Sequence, residues 1–289
     1  MRKKREVILL LLPFFMISGL VLLSVWNVLA QSLGFIPAFG LNKLTLNYYR
    51  SIFSDPDFIS SLTVSLKIAL QSASAACILG VALAMALIKL NMTRGGAVYL
   101  VRFPILIPHA VAAVFMIQLI GQTGLLARLG YVLGFLDDFN RFPQLLYTPG
   151  YGGTILAYLW KEIPFVAYFV LAFMSSISDT LGEAAENLGA SPIRSFIHVT
   201  LPLSMPVIAR AFLIIFIFAF GGYELPLLLG VTLPKALPVQ AYLAYMNPEL
   251  KLRPLAMAMN GVILILSLTM AGIYWLLIRH VSRKLGVQS

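Results

Sequence analysis

Residues 183–202, EAAENLGASPIRSFIHVTLP, separate two long apolar runs and resemble neither. On one side the chain reads FVLAFMSSI (169–177) and on the other MPVIARAFLIIFIFAF (205–220). Between them come Glu183, Glu186, Arg194 and His198, with Gly189, Pro192 and Pro202 as chain breakers. The apolar flanks determine the fold class, and the polar interruption needs a reason of its own.

The flanks are typical of the whole chain. Of its 289 residues, 60% are hydrophobic and 11% are charged, with a mean hydropathy of +0.91. Soluble domains carry about 25% charged residues, so the solvent here is a bilayer. Crossing a hydrocarbon core takes about 20 apolar residues. Six stretches reach that length: 8–30, 60–88, 98–121, 151–176, 206–233 and 254–279. The expected fold is all-α, a polytopic membrane protein with about six transmembrane helices.

The formal net charge of +10 does not form one patch, so nucleic acid is not an expected partner. The bases flank the spans instead. With the N-terminus inside, the cytoplasmic side collects Arg2, Lys3, Lys4, Arg5, Lys89, Arg94, Arg102, Arg194, Arg210, Arg279, Arg283 and Lys284. The outer side keeps Lys43, Arg50, Arg128, Arg141, Lys235, Lys251 and Arg253. This excess obeys the positive-inside rule and places both termini in the cytoplasm of a multi-pass protein. The opening MRKKREVILLLLPFFMISGLVLLSVWNVLAQ has the outline of a signal peptide with Val28-x-Ala30 before a cleavage point. Its apolar run of about 23 residues exceeds the roughly 7–15 of a signal core, so it reads as a retained first helix. The single Cys77 can form neither an internal disulfide nor a thiolate metal cluster and reads as packing.

No linker or low-complexity stretch divides the chain, and no internal repeat of the secondary-transporter kind is visible. Residues 1–289 therefore read as one domain: 1–58 the first helix and an outer loop, 59–279 the core bundle with the cytoplasmic segment 177–205. In the outer loop 122–150, Leu125, Leu129, Val132 and Leu133 share a helical face, which predicts a short helix on the membrane surface or over the bundle. The prolines Pro234, Pro238 and Pro248 predict an irregular last outer loop.

Within 177–205 the signals predict a helix–turn–helix. Thr180 and Glu183 have capping-box spacing, and Gly189 suits a left-handed helix end. Ser191 and Pro192 fit the N-cap and first position of a second helix, which should end near Leu201-Pro202. In that second helix Ile193, Phe196, Ile197 and Leu201 would share one face, with Arg194, Ser195 and His198 elsewhere. Physics alone leaves two readings: a loop resting on headgroups, or a docking element for a partner.

The pattern EAA…G…LP resembles the cytoplasmic signature of binding-protein-dependent ABC importer permeases, with the MetI-like type I transmembrane domain. Glu183, Ala184 and Ala185 supply the EAA, Gly189 the glycine, and Leu201 and Pro202 the close; Val199 stands where the signature prefers isoleucine. The resemblance extends from LTLNYYRSIF (44–53) to the sixth span. It implies that Glu183, Ala184, Ala185, Glu186, Gly189, Arg194, Leu201 and Pro202 dock on a separate cytoplasmic ABC ATPase dimer. It also implies a second permease subunit, either a sister or a copy of this chain, and an extracytoplasmic solute-binding protein, all at a bacterial inner membrane. ATP and magnesium would belong to the ATPase, and no cofactor, metal or catalytic residue is expected in this chain. No GxxxxGK[ST] loop and no HExxH motif is present. A secondary transporter or channel without an ATPase is the alternative.

Charge inside a span is a functional hypothesis by default. Lys161 and Glu162 lie in the fourth span, where they either line the translocation path or are structural, with the lysine then snorkelling to the headgroups. Tyr223 and Glu224 lie in FAFGGYELPLLLG (218–230), where Gly221, Gly222 and Pro226 favour unwinding. A broken helix beside an acid suits a gate or a cargo contact; the competing reading is a buried acid that holds an interface. His109 reads as a structural histidine. The chain most resembles the polyamine permeases and their ferric iron, thiamine and phosphonate relatives, but its third span, VRFPILIPHAVAAVFMIQL, lacks the tryptophan- and arginine-bearing stretch expected of the polyamine group.

Overall fold

The computed structural model describes residues 2–90, 92–93 and 95–285. Arg94, counted above among the inner bases, lies outside the described residues, as do the side chains of Arg2, Lys3, Lys4, Arg5, His280, Arg283 and Lys284. Among the described residues the structure is helical, with one isolated bridge between Ile36 and Leu41. In chain order the α-helices are α1 (Arg2–Ser32), α2 (Asn47–Phe53), α3 (Pro56–Lys89), α4 (Gly96–Leu106), α5 (His109–Ile120), α6 (Leu125–Val132) and α7 (Gly152–Ile177). They continue with α8 (Glu183–Asn187), α9 (Pro192–Ser195), α10 (Leu201–Gly221), α11 (Glu224–Leu229), α12 (Leu237–Tyr245) and α13 (Arg253–Leu285).

Among the described residues, six helical runs are long and apolar enough to cross a membrane: Leu10–Ser32, Pro56–Lys89, His109–Val132, Gly152–Asn187, Pro192–Gly221 and Leu250–Arg279. Two departures from the expected spans matter. The third breaks at Ile107–Pro108 into α4 and α5, and the fifth stops at Gly221 before the short α11. The last outer loop is not wholly irregular, because α12 forms in it. Pro238 falls in the first turn, where a missing N–H costs nothing. The buried Leu237 N–H donates to Ser65 Oγ of α3 at 2.7 Å. That tertiary cap is invisible to local sequence signals.

The chain forms two compact units. One comprises Met1–Ile59 and Gln240–Ile265. Within it the Tyr49 hydroxyl donates to Ser32 Oγ at 2.9 Å, and Ser32 in turn donates to Leu29 O at 2.7 Å. The α1 helix leaves Phe14, Leu22 and Trp26 exposed, as a lipid-facing span does.

The other unit comprises Ser60–Val239 and Leu266–Ser289 and carries the features that position the site. Its centre is α7, whose Val166, Ala167, Val170 and Met174 are fully buried. Against it α3 presents Gly80, where a Cβ would stand 2.5 Å from Val166 Cβ and 2.9 Å from Ile163 O. Small residues let helix backbones approach where lipid supplies no hydrophobic drive between them. The α6 helix forms as expected; its Leu125, Leu129, Val132 and Leu133 are exposed and Ala127 is buried. Beyond α6, Arg141 pairs with Asp137 at 2.6 Å. Asp138 accepts the Asn140 N–H, which holds its carboxyl below the usual range.

Replacing Gly80 by valine should overpack this crossing at a cost of about 1–3 kcal/mol. A thermal-shift measurement in detergent should show Gly80→Val melting several degrees below the parent. Gly272→Val, at a position with no atom within 4 Å of an added Cβ, should leave the transition unchanged.

Candidate functional site

The two helix breaks meet at one place. Pro108 lacks an N–H and pushes Ile107 into extended backbone, at φ −79° and ψ 129°. The Ile107 carbonyl thereby loses its helical donor inside a span. The Lys161 ammonium of α7 donates to it and stands 3.4 Å from His109 Nδ1. An ammonium at the C-terminal end of α4 also meets the negative end of that helix dipole. Lys161 is only 5% exposed, which corrects the expectation that it snorkels; it clasps the broken third span instead. Its neighbour Glu162 is buried as well.

The second break follows Gly221. Gly222 is extended, at φ −75° and ψ 127°, and α11 restarts at Glu224. A Cβ on Gly222 would come within 2.6 Å of the hydroxyl of the fully buried Tyr158. Glycine is therefore required here for the close approach of the ring. The His109 ring packs against Phe218 at 4.9 Å between centroids, while its Nε2 is buried without a protein partner.

Between the breaks lies a cavity of about 250 Å³ lined by His109, Tyr158, Phe218, Gly222, Tyr223, Glu224 and Leu225. Of the residues singled out in the sequence, Tyr223 and Glu224 line it, Lys161 clasps the break beside it, and Glu162 does not line it. His109 was read as merely structural, yet it lines the cavity. Its position directly after Pro108 was the available signal, because a proline inside a span exposes backbone and polar side chains together.

The segment 178–200 is a helix–turn–helix with different joints from those expected. The backbone never leaves helical geometry at Thr180; α7 runs through a π turn, Ser178–Gly182, into α8. No capping box forms, because an uninterrupted helix has no orphan N–H there, and Thr180 Oγ1 donates to Ser176 O instead. The turn itself matches expectation. Gly189 has φ +94°, and the Ala190 N–H closes on Ala185 O at 3.1 Å. Ser191 caps α9 by accepting the Arg194 N–H, with Pro192 at the first position.

The second arm does not end at Leu201-Pro202. It passes through another π turn, Phe196–Thr200, into α10. A widened turn there relieves the clash of the Pro202 ring with the carbonyl four residues earlier. The two arms are pinned by Ser195 Oγ, which donates to the buried Gly182 carbonyl at 3.0 Å. Ser195 thus points inward, and of the four residues expected to share an apolar face, Ile193 and Ile197 are exposed while Phe196 and Leu201 are half-buried. Leu181, Leu188, Ile193 and Ile197 are exposed, alongside Glu183, Ala184, Glu186, Gly189, Arg194 and Pro202; Ala185 and Leu201 are half-buried.

Residues 76–283 match the family described as "Binding-protein-dependent transport system inner membrane component", and the chain belongs to it. Among individual relatives, the ferric transport system permease protein FbpB of Actinobacillus pleuropneumoniae is 32% identical over 38% of this chain, a match spanning 16% of that protein. The putrescine permease PotI of Escherichia coli is 26% identical over 67% of this chain and 70% of its own length. The sn-glycerol-3-phosphate permease UgpA of Yersinia pseudotuberculosis is 31% identical over 73% of this chain and 72% of its own. A chain of a bacterial ABC transporter for alginate import shares the fold, with a TM-score of 0.75 at 19% identity over 98% of this chain and 96% of that one.

The clasp at Lys161 has a measurable consequence. Lys161→Met leaves a buried carbonyl without a donor, which costs about 1–3 kcal/mol. The purified variant should unfold at a lower temperature than the parent, and Lys161→Arg, which keeps a donor, should recover part of the difference. Equal melting of Lys161→Met and the parent would remove the clasp as a source of stability.

Proposed function

We propose that this chain is a permease subunit of an ATP-driven ABC importer, moving a small solute by alternating access and performing no catalysis itself. The observation that carries the proposal is mechanical. The helix–turn–helix exposes four large apolar side chains, two carboxylates and Arg194 at the ends of two long helical runs, and such patches mark partner sites. Its arms are continuous with two spans, Gly152–Asn187 and Pro192–Gly221. Those spans carry Lys161 and Tyr158 on one side and end at Gly222–Glu224 on the other. A push on the turn therefore reaches both walls of the cavity through unbroken helix.

In this reading the turn docks on a cytoplasmic ABC ATPase dimer, which holds ATP and magnesium, and both chain termini are cytoplasmic. When ATP brings the two ATPase subunits together, the arms move and the cavity opens outward to receive cargo from an extracytoplasmic binding protein. Release of the ATPases returns it to the inside. A second permease, a sister or a copy of this chain, supplies the facing wall. The cargo belongs to the range served by the related permeases: a polyamine or related organic ion, iron, thiamine or a phosphonate. Glu224 and Tyr223 contact it during passage.

Affinity purification from the native membrane in mild detergent, followed by mass spectrometry, tests the class. The parent chain should bring down an ABC ATPase, and Glu183→Lys or Gly189→Asp should reduce its recovery strongly. Folded parent chain without any ATPase would place a secondary transporter first. Glu224→Gln should slow uptake while leaving assembly intact, and normal uptake at normal expression would exclude Glu224 from the path.

A further inference from the structure

A second cavity, of about 960 Å³, lies between α4 and α7 on the side of the helix–turn–helix. Arg102 reaches it from α4; Tyr168, Ser175 and Ser176 from α7; Asp179 and Thr180 from the π turn. It is separate from the cavity at the helix breaks, which these residues do not line.

Arg102 is the unusual member. Its guanidinium carbon sits 3.9 Å from the centre of the Tyr168 ring and 5.8 Å from that of Tyr99. Its Nε is buried with no hydrogen-bond partner, and it forms no ion pair among the described residues. Stacking fixes the guanidinium plane, so the remaining N–H groups are aimed before any ligand arrives. A fixed fork with unused donors, in one cavity with the hydroxyl of Ser176, fits a tetrahedral oxyanion better than a neutral solute. An unpaired cation within a span is otherwise costly.

Asp179 lies in the same cavity, where its polar contact is Ser175 Oγ at 3.4 Å. A purely anionic ligand would meet that carboxylate as repulsion. A phosphate with an ammonium attached satisfies both charges. The rest of the wall is apolar, with Ile88, Phe169, Leu171 and Ala172. Arg102 stands about 9 Å along α4 from Gly96, near the depth of a headgroup–acyl boundary. Basic pockets between helices at that depth hold lipid headgroups.

We propose that this cavity binds a zwitterionic phosphate ester, with its phosphate on the Arg102 fork and its ammonium at Asp179. The same chemistry is offered by the headgroup of inner-leaflet phosphatidylethanolamine and by a water-soluble phosphoethanolamine. Assignment to the inner leaflet rests on the permease topology proposed above; the binding itself does not.

The test uses the full chain with its co-purifying subunits, delipidated in detergent. Titration calorimetry would compare dihexanoyl-phosphatidylethanolamine, dihexanoyl-phosphatidylglycerol and free O-phosphoethanolamine. The ethanolamine lipid should bind about tenfold more tightly than the glycerol lipid, and Arg102→Gln should weaken it about tenfold. Asp179→Asn should abolish the preference between the two lipids. Tyr168→Leu keeps the charge but removes the stack, and should weaken binding several-fold even if Arg102→Gln fails to fold. Lipid binding without binding of the free ester assigns the site to the membrane; comparable binding of the free ester assigns it to a soluble ligand. Equal affinity of parent and Arg102→Gln, or of the two lipids for the parent, overturns the proposal. ATPase recovery scored on the same preparations separates this outcome from failure of the importer reading.

Discussion

Two helices that do not stop where the chain leaves the apolar spans govern this structure. The run Gly152–Asn187 enters the helix–turn–helix through one π turn, and Pro192–Gly221 leaves it through another. From Lys161 to Glu183 there are about 33 Å of helix at 1.5 Å per residue. A loop at either joint would absorb a displacement within a few residues. A helix passes it on, and the Ser195–Gly182 hydrogen bond makes the arms move together. Each π turn keeps this continuity while easing a local conflict, most clearly ahead of Pro202.

At the far end the same two runs meet backbone that is deliberately broken. Inside a bilayer an unpaired carbonyl or N–H has no water to turn to, so irregular backbone survives only where protein satisfies it or a cavity receives it. Both solutions are present. The Ile107 carbonyl takes the Lys161 ammonium, and the extended stretch at Gly222 borders the cavity of Glu224 and His109. Lys161 of α7 thus holds the break, and the polar groups lining the cavity come from the segments beside the breaks and from Tyr158 of α7.

The sequence made the spans legible because about 20 apolar residues in a row admit few other readings. Gly189 and the Ser191-Pro192 restart were legible too, since a left-handed end and an N-cap are local chemistry. What escaped was set at a distance. Thr180 and Glu183 have the spacing of a capping box, but a cap exists only where a helix begins, and α7 was already helical there. Ser195 carried no local signal of its role, because its acceptor, Gly182, is thirteen residues away across the turn. The α12 helix was hidden for the same reason, its first N–H being satisfied by Ser65 from α3. Lys161 was assigned to the headgroups because its true partner is a carbonyl freed by Pro108, far earlier in the chain.

One consequence concerns the face of α7 that its own unit does not fully cover. Val166, Ala167, Val170 and Met174 are packed on one side. Phe169, Ser176 and Thr180 recur at helical spacing on the other, with Tyr168, Ser175 and Asp179 beside them. The stripe runs past Arg102 to the helix–turn–helix. A helix facing acyl chains does not carry a carboxylate and a row of hydroxyls along one edge, because each would lose its hydration with nothing in return. Such an edge belongs against water, polar headgroups or another protein. In the proposed assembly, the second permease is the protein that would cover this edge.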